Sequence, residues 1–141
     1  MLIWNKRKDA PMKLAPVLVL AALSLAACTQ QPEIPTGRAD FTALCAGCHG
    51  EGGKGDGEMA ALLDKKPANL TTLSKRNGGA FPGTRVMAQI WGYAKPGGRV
   101  MPEFGPLLDS EVVPYDGGDG ILTPTPIRLV QLEQYLRTIQ E

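Results

Sequence analysis

Histidine is nearly missing from these 141 residues: His49 is the single one. A centre built on two imidazoles of one chain is therefore excluded. Structural zinc wants about four ligands, and one histidine with a single CxxC pair does not supply them. A basic excess is missing too. Lys and Arg number 15 against 14 Asp and Glu, which gives no support for nucleic-acid binding, where a clear cationic surplus is expected. No segment reads convincingly as a strand. The apolar run Leu14–Ala27 is 14 residues long, whereas a bilayer-crossing helix needs about 20.

That short run has another reading. Lys6, Arg7, Lys8 and Lys13 stand before it or at its edge, as in the h-region of an export signal. The signal is expected over residues 1–27, with Met1 or Met12 as the start. It ends in Leu25-Ala26-Ala27-Cys28, which looks like a bacterial lipoprotein signal. The expectation is cleavage before Cys28 and lipid on that thiol. Residues 28–36 then read as a lipidated cysteine and a flexible tether, with two prolines and no apolar periodicity. Residues 37–141 read as one domain. From Cys28 onward the charges are 11 Lys and Arg against 13 Asp and Glu. A domain of this size is marginally stable alone, and a large apolar cofactor would help.

Three cysteines are present. With Cys28 assigned to lipid, Cys45 and Cys48 remain, in the stretch Cys45-Ala46-Gly47-Cys48-His49. An oxidising compartment would join them unless something captures them first. A thioredoxin-like redox pair wants a βαβ setting, and strands are missing. A plain disulfide leaves His49 unexplained. Cys-x-x-Cys-His signals c-type haem attachment. Two thiols on one helical turn reach the two vinyl groups of one porphyrin, and the histidine after them projects over the ring. Covalent attachment makes binding intramolecular, with a high effective concentration.

The elements follow from periodicity. Gly37–Cys48 is expected as a helix, with Phe41 and Leu44 four residues ahead of Cys45 and Cys48. Gly50–Gly57 is a glycine-rich turn whose backbone approaches something closely; it lacks the ending and the upstream strand of a phosphate loop. Glu58–Asp64 is a short helix. Lys66–Leu70 is extended, because Pro67 biases Lys66 away from helix. Gly83–Tyr93 is an amphipathic helix. Lys95–Leu108 and Ser110–Pro126 are loops, and Asp116 and Asp119 sit in a turn whose spacing does not fit a calcium loop. Ile127–Gln140 is the last helix. The fold class expected is all-α, about four short helices with long loops wrapped round a buried group that orders them.

On CAGCHG at 45–50, GGKGDG at 52–57, KPANL at 66–70, VMP at 100–102 and LEQYL at 132–136, the sequence resembles the class I cytochrome c family, specifically its small single-haem bacterial members. The resemblance spans nearly all of residues 37–141. It implies one covalent haem c, attached through Cys45 and Cys48, with His49 as proximal iron ligand. It implies that Gly37 and Phe41 belong to a helix crossed by the terminal helix. It also implies that the Pro67 carbonyl accepts a bond from the other His49 nitrogen, which fixes the imidazole. Met59 lies too near His49 to cross the ring, and Met87 is on an apolar helix face. Met101, before Pro102 in a glycine- and proline-bounded loop, is the expected distal ligand, since Met/His is the axial set of this class. Trp91 and Arg99 are candidates for the haem propionates.

A Met/His iron with no free position is an electron carrier and performs no bond-making, so no enzyme activity is expected. The partners implied are redox proteins (an oxidase, reductase or dehydrogenase), the haem c maturation machinery, and a membrane through the lipid anchor on its periplasmic side, inner or outer. A haem sensor or gas-ligand binder, and a fixed haem subunit of a larger oxidoreductase complex, are the alternative readings. Residues 112–126 are longer than the resemblance leads one to expect.

Overall fold

The computed structural model describes residues 36–93 and 101–141, all within the unit Ile34–Glu141. The signal, Cys28, the tether up to residue 35, and Arg99 lie outside the described residues. Thr36 caps the first helix, α1 (Gly37–Leu44), by accepting the Ala39 N–H at 3.3 Å, a service whose loss costs about 1 kcal/mol. The helix does not run unbroken to Cys48 as periodicity suggests. Cys45 has φ −118°, and its carbonyl is shared by the Cys48 and His49 N–H groups at 3.2 and 2.8 Å. A separate turn, α2 (Ala46–His49), follows.

Single-turn elements come next. Glu58–Leu62 is a 3-10 turn rather than the expected helix. A second 3-10 turn, Leu70–Thr72, leads into α3 (Leu73–Arg76). The amphipathic segment forms α4 (Gly83–Trp91), which buries Met87 and Ile90 and ends on Gly92 with φ 112°, a left-handed stop that glycine adopts freely. The last helix, α5 (Ile127–Thr138), buries Leu129, Leu132 and Leu136.

Two contacts fix the crossing of α1 and α5. A Cβ at Gly37 would collide with the Gln131 carbonyl, so the backbones touch there and only glycine fits. Beside it, Arg128 Nε donates to Asp40 Oδ2 at 3.1 Å, Nη2 bonds Asp40 Oδ1, and Nη1 donates to the Leu107 carbonyl at 2.7 Å. Asp40 is 2% exposed, and such a fork matches a buried carboxylate with geometry a lysine cannot supply. Phe41 packs against Tyr135, ring centres 5.2 Å apart. The core around this crossing comprises Phe41, Met87, Ile90, Leu108, Leu129, Leu132 and Leu136.

The all-α expectation is overturned between α4 and α5. Among the described residues five helices are accompanied by a two-stranded antiparallel hairpin, β1 (Val112–Asp116) with β2 (Leu122–Pro126), where a loop is expected from sequence. The register is Val112↔Pro126, Val113↔Thr125, Pro114↔Pro124, Tyr115↔Thr123 and Asp116↔Leu122. Proline obscures this pairing, because a proline inside a run argues against a strand. Here Pro114, Pro124 and Pro126 all fall on one parity of the register. In an antiparallel pair, opposed residues alternate between exchanging hydrogen bonds and not. The bonded pairs are then Val113–Thr125 and Tyr115–Thr123, and the prolines' missing N–H groups fall where the donors would point outward.

Candidate haem-binding site

The site begins at the join of α1 and α2. Cys45 and Cys48 sit one turn apart, both half-buried and both free thiols. Burial pushes the Cys45 thiol up to about 12, helped by the carboxylate of Asp40 and by Cys48, so this sulfur stays protonated at neutral pH. Cys45 packs on the central hydrophobic cluster.

His49 follows, buried at 9% exposure. Its Nδ1 lies 2.9 Å from the Ala68 carbonyl. A carbonyl only accepts, so Nδ1 carries the proton and Nε2 keeps its lone pair for a metal. This corrects the expectation for Pro67: the accepting carbonyl belongs to Ala68, one residue later. The Pro67 carbonyl is turned toward Gly55, where a Cβ would strike it. Two neighbouring carbonyls of an extended chain point in opposite directions, so only one of them can face His49.

Backbone bonds hold the two partners in place. The Gly55 N–H donates to the His49 carbonyl at 2.7 Å, the Gly57 N–H to Cys48 at 3.2 Å, and the Leu70 N–H to Gly53 at 2.7 Å. Gly55 has φ 80°, and this conformation together with the close Pro67 carbonyl leaves no room for another residue. The segment carrying Ala68 is set at its far end by Asn69, whose Oδ1 accepts the Thr71 N–H at 2.8 Å and whose carbonyl accepts Arg76 Nη2 at 2.8 Å.

Met101 is half-buried and packs on the same hydrophobic cluster as Cys45. Met87 is committed to the core, against the Gly117 turn of the hairpin. Met59 is 47% exposed and lies over Gly47. Trp91 packs on the core and tilts against Tyr93, centres 6.2 Å apart. Together with Glu103, Gly105, Pro106 and Asp109 these aromatics line a cleft of about 580 Å3, whose walls include neither thiol, nor His49, nor Met101. The cleft is therefore not the centre of the chemistry.

The donor set fits one covalently held haem. It offers two thiols on one turn and an imidazole whose Nδ1 is fixed by a backbone carbonyl. Among the described residues no cluster of three or more His, Cys, Asp and Glu could hold a bare metal ion. No helix among them is long and apolar enough to cross a membrane.

Sequence reasoning missed Ala68, because a backbone carbonyl has no residue signature. It also missed Glu133, which is fully buried. The available signal was its place four residues after Leu129 on the buried stripe, with Arg137 four residues further on.

Residues 32–113, more than half of the chain, match the family model described as "Cytochrome C oxidase, cbb3-type, subunit III". Neither the curated proteins nor the solved structures contain a significant match.

Proposed function

Because the chain belongs to this c-type cytochrome family, which binds covalent haem c and uses it for electron transfer, we propose that it is a membrane-tethered one-electron carrier between respiratory redox partners. In this reading Cys45 and Cys48 hold the haem, His49 and Met101 are the iron's axial ligands, and lipid on Cys28 tethers the domain on the periplasmic side. Haem c supplies an iron that changes by one electron.

The observation that carries the ligand assignment is the 2.9 Å bond from His49 Nδ1 to the Ala68 carbonyl. It holds the ring in one orientation and leaves Nε2 as the nitrogen available to the iron. A thioether ligand from Met101 would favour the reduced iron and raise the potential. If His49 and Met101 both held the iron, the chain would leave it no position for a substrate. Cys45 and Met101 each pack on the apolar core cluster, which supports a water-poor setting, in which the protein's dipoles need little rearrangement when charge changes.

Visible spectra test this reading. The haem-loaded protein is measured oxidised, reduced, and reduced under CO. The oxidised wild type and Met87→Ala are expected to show the weak long-wavelength iron–sulfur band, Met101→Ala to lack it, and CO to leave the reduced wild type unchanged. Immediate CO binding by wild type without that band would put an open iron face, and the sensor reading, in its place. The matching family, an oxidase subunit by its description, favours one second reading, a fixed haem subunit of an oxidase complex. A stoichiometric partner that survives purification would select it over a free carrier.

A further inference from the structure

The hairpin lies almost wholly beyond the matched residues 32–113, and the carrier function does not use it. Its two faces differ. Val113 and Tyr115 are half-buried and Thr125 is buried, whereas Val112, Pro114, Leu122 and Pro124 are exposed. By register these four share the outer face. Val112 is 55% exposed and Leu122 69%, with Ile121 at the turn 63%. An apolar ribbon face left in water is unfavourable and commonly marks an interaction site.

The face is also held rigid from behind. The Tyr115 hydroxyl donates to Glu133 Oε2 at 2.8 Å, Arg137 Nη2 donates to the Gly117 carbonyl at 3.1 Å, and the Ile127 N–H donates to the Glu111 carbonyl at 2.8 Å. A surface already ordered loses less freedom on binding. Prolines add to this and decide the mode of contact. At the three outward-donor positions of β2, residues 122, 124 and 126, two are proline, and β1 has Pro114. A strand adding to β2 would miss two of three donors, and one adding to β1 would miss the central one, so both edges are poor templates for a further strand. This favours contact by the face.

Charge decides the partner. From residue 105 to residue 126 there is no Lys or Arg, and Asp109, Glu111, Asp116 and Asp119 are all exposed. Such a rim repels another copy of itself and the anionic surface of a phospholipid membrane. It attracts a cationic protein surface, and complementary charge speeds encounter.

We propose that the outer face of the hairpin, with its acidic rim, is a docking surface for a protein partner presenting an apolar patch ringed by Lys and Arg. It shares no residue with the haem-binding turn and does not depend on which residue is the distal ligand. The contact is expected to be small and transient, below about 1,200 Å2.

The test uses the full-length haem-loaded chain in membranes of its native cells, with Leu122→benzoylphenylalanine as a photo-crosslinker and Lys75→benzoylphenylalanine as a control position. The expected result is one protein adduct from position 122, absent from position 75, whose crosslinked peptide lies among Lys and Arg residues. Raising the salt to about 0.5 M should weaken the adduct roughly fivefold or more, because exposed charges are then screened within a few ångströms. Asp109→Lys with Glu111→Lys should weaken it similarly at low salt. Neither residue carries a side-chain bond to the hairpin's buried side, and unchanged haem absorbance checks that the variant is folded. An adduct to lipid, to a second copy or to a surface without basic residues, an adduct indifferent to salt, or no adduct would each overturn the proposal.

Discussion

Between His49 and Leu70 the chain is held mainly by its own backbone, whereas the hairpin at 112–126 adds a buried side-chain network to its backbone bonds. In the first region N–H groups of Gly55, Gly57 and Leu70 bond carbonyls of His49, Cys48 and Gly53, and His49 itself bonds a carbonyl. In the second, one buried carboxylate gathers the bonds: Glu133 accepts Tyr115 Oη at 2.8 Å and Arg137 Nε at 2.7 Å, and Arg137 lies over the Phe81 ring at 4.8 Å. A backbone-built site is set by where glycine permits the chain to go. A side-chain-built annex depends on single residues. The two should therefore fail separately, and by different substitutions.

The largest effects come from the two buried carboxylates, which are not equivalent. Arg128→Ala leaves Asp40, whose side chain is 3% exposed, with its charge uncompensated. Breaking a buried pair in this way costs about 3–5 kcal/mol. Glu133→Ala instead strands Arg137, which is 37% exposed and can turn to water. The loss should then lie at the lower end of that range, near 3 kcal/mol. Denaturant titration of the holoprotein checks the order. Haem absorbance of the folded fraction should be unchanged in Glu133→Ala; a displaced haem in that variant would mean that the hairpin and the site are one unit.

Gly55→Ala probes the other side of the comparison. Its φ of 80° and the close Pro67 carbonyl make any Cβ strain the turn, at about 1–3 kcal/mol. The segment that yields carries Ala68. A longer bond from His49 Nδ1 makes the imidazole a weaker donor to iron, so the reduction potential should rise, by roughly tens of millivolts. Redox titration measures it. An unchanged potential in folded Gly55→Ala would show that the Ala68 carbonyl does not tune the iron.

The same contrast explains what was legible. Cys45, Cys48 and His49 are adjacent in sequence, so their chemistry can be read without a fold. The helix expected at Gly83–Tyr93 forms over Gly83–Trp91, and that expected at Ile127–Gln140 forms over Ile127–Thr138, because apolar residues repeat with the helical period and face one core. The helix expected at Gly37–Cys48 breaks at Cys45, where one carbonyl serves two donors. Ala68 replaces Pro67 because the choice between adjacent carbonyls is made by peptide orientation, which no side chain records. The hairpin was hidden because its prolines sit at outward positions, a fact of register that exists only once the strands have paired. Its anchor, Glu133, is an acidic residue on an apolar stripe and finds its partners 18 residues upstream and four downstream.

The smallest effect separates the hairpin's hydrogen bond from its packing. Tyr115→Phe removes one hydroxyl and leaves the ring on the core cluster, so the cost should be about 1 kcal/mol. Its pH dependence is the sharper reading. Burial, and then the bond to Glu133, raise the Tyr115 phenol above the ordinary tyrosine range. A raised value in the folded state means that the stabilisation is present while the phenol is protonated, below its unfolded value of about 10. It is lost as pH climbs through the higher folded value. The stability difference between wild type and Tyr115→Phe should accordingly be constant at neutral pH and shrink above pH ~10. Unfolding curves taken on both sides of that pH measure it. A difference that persisted in strong alkali would assign the loss to packing of the ring edge, and the hairpin would then be held by Arg137 and the Gly117 carbonyl rather than by the phenol.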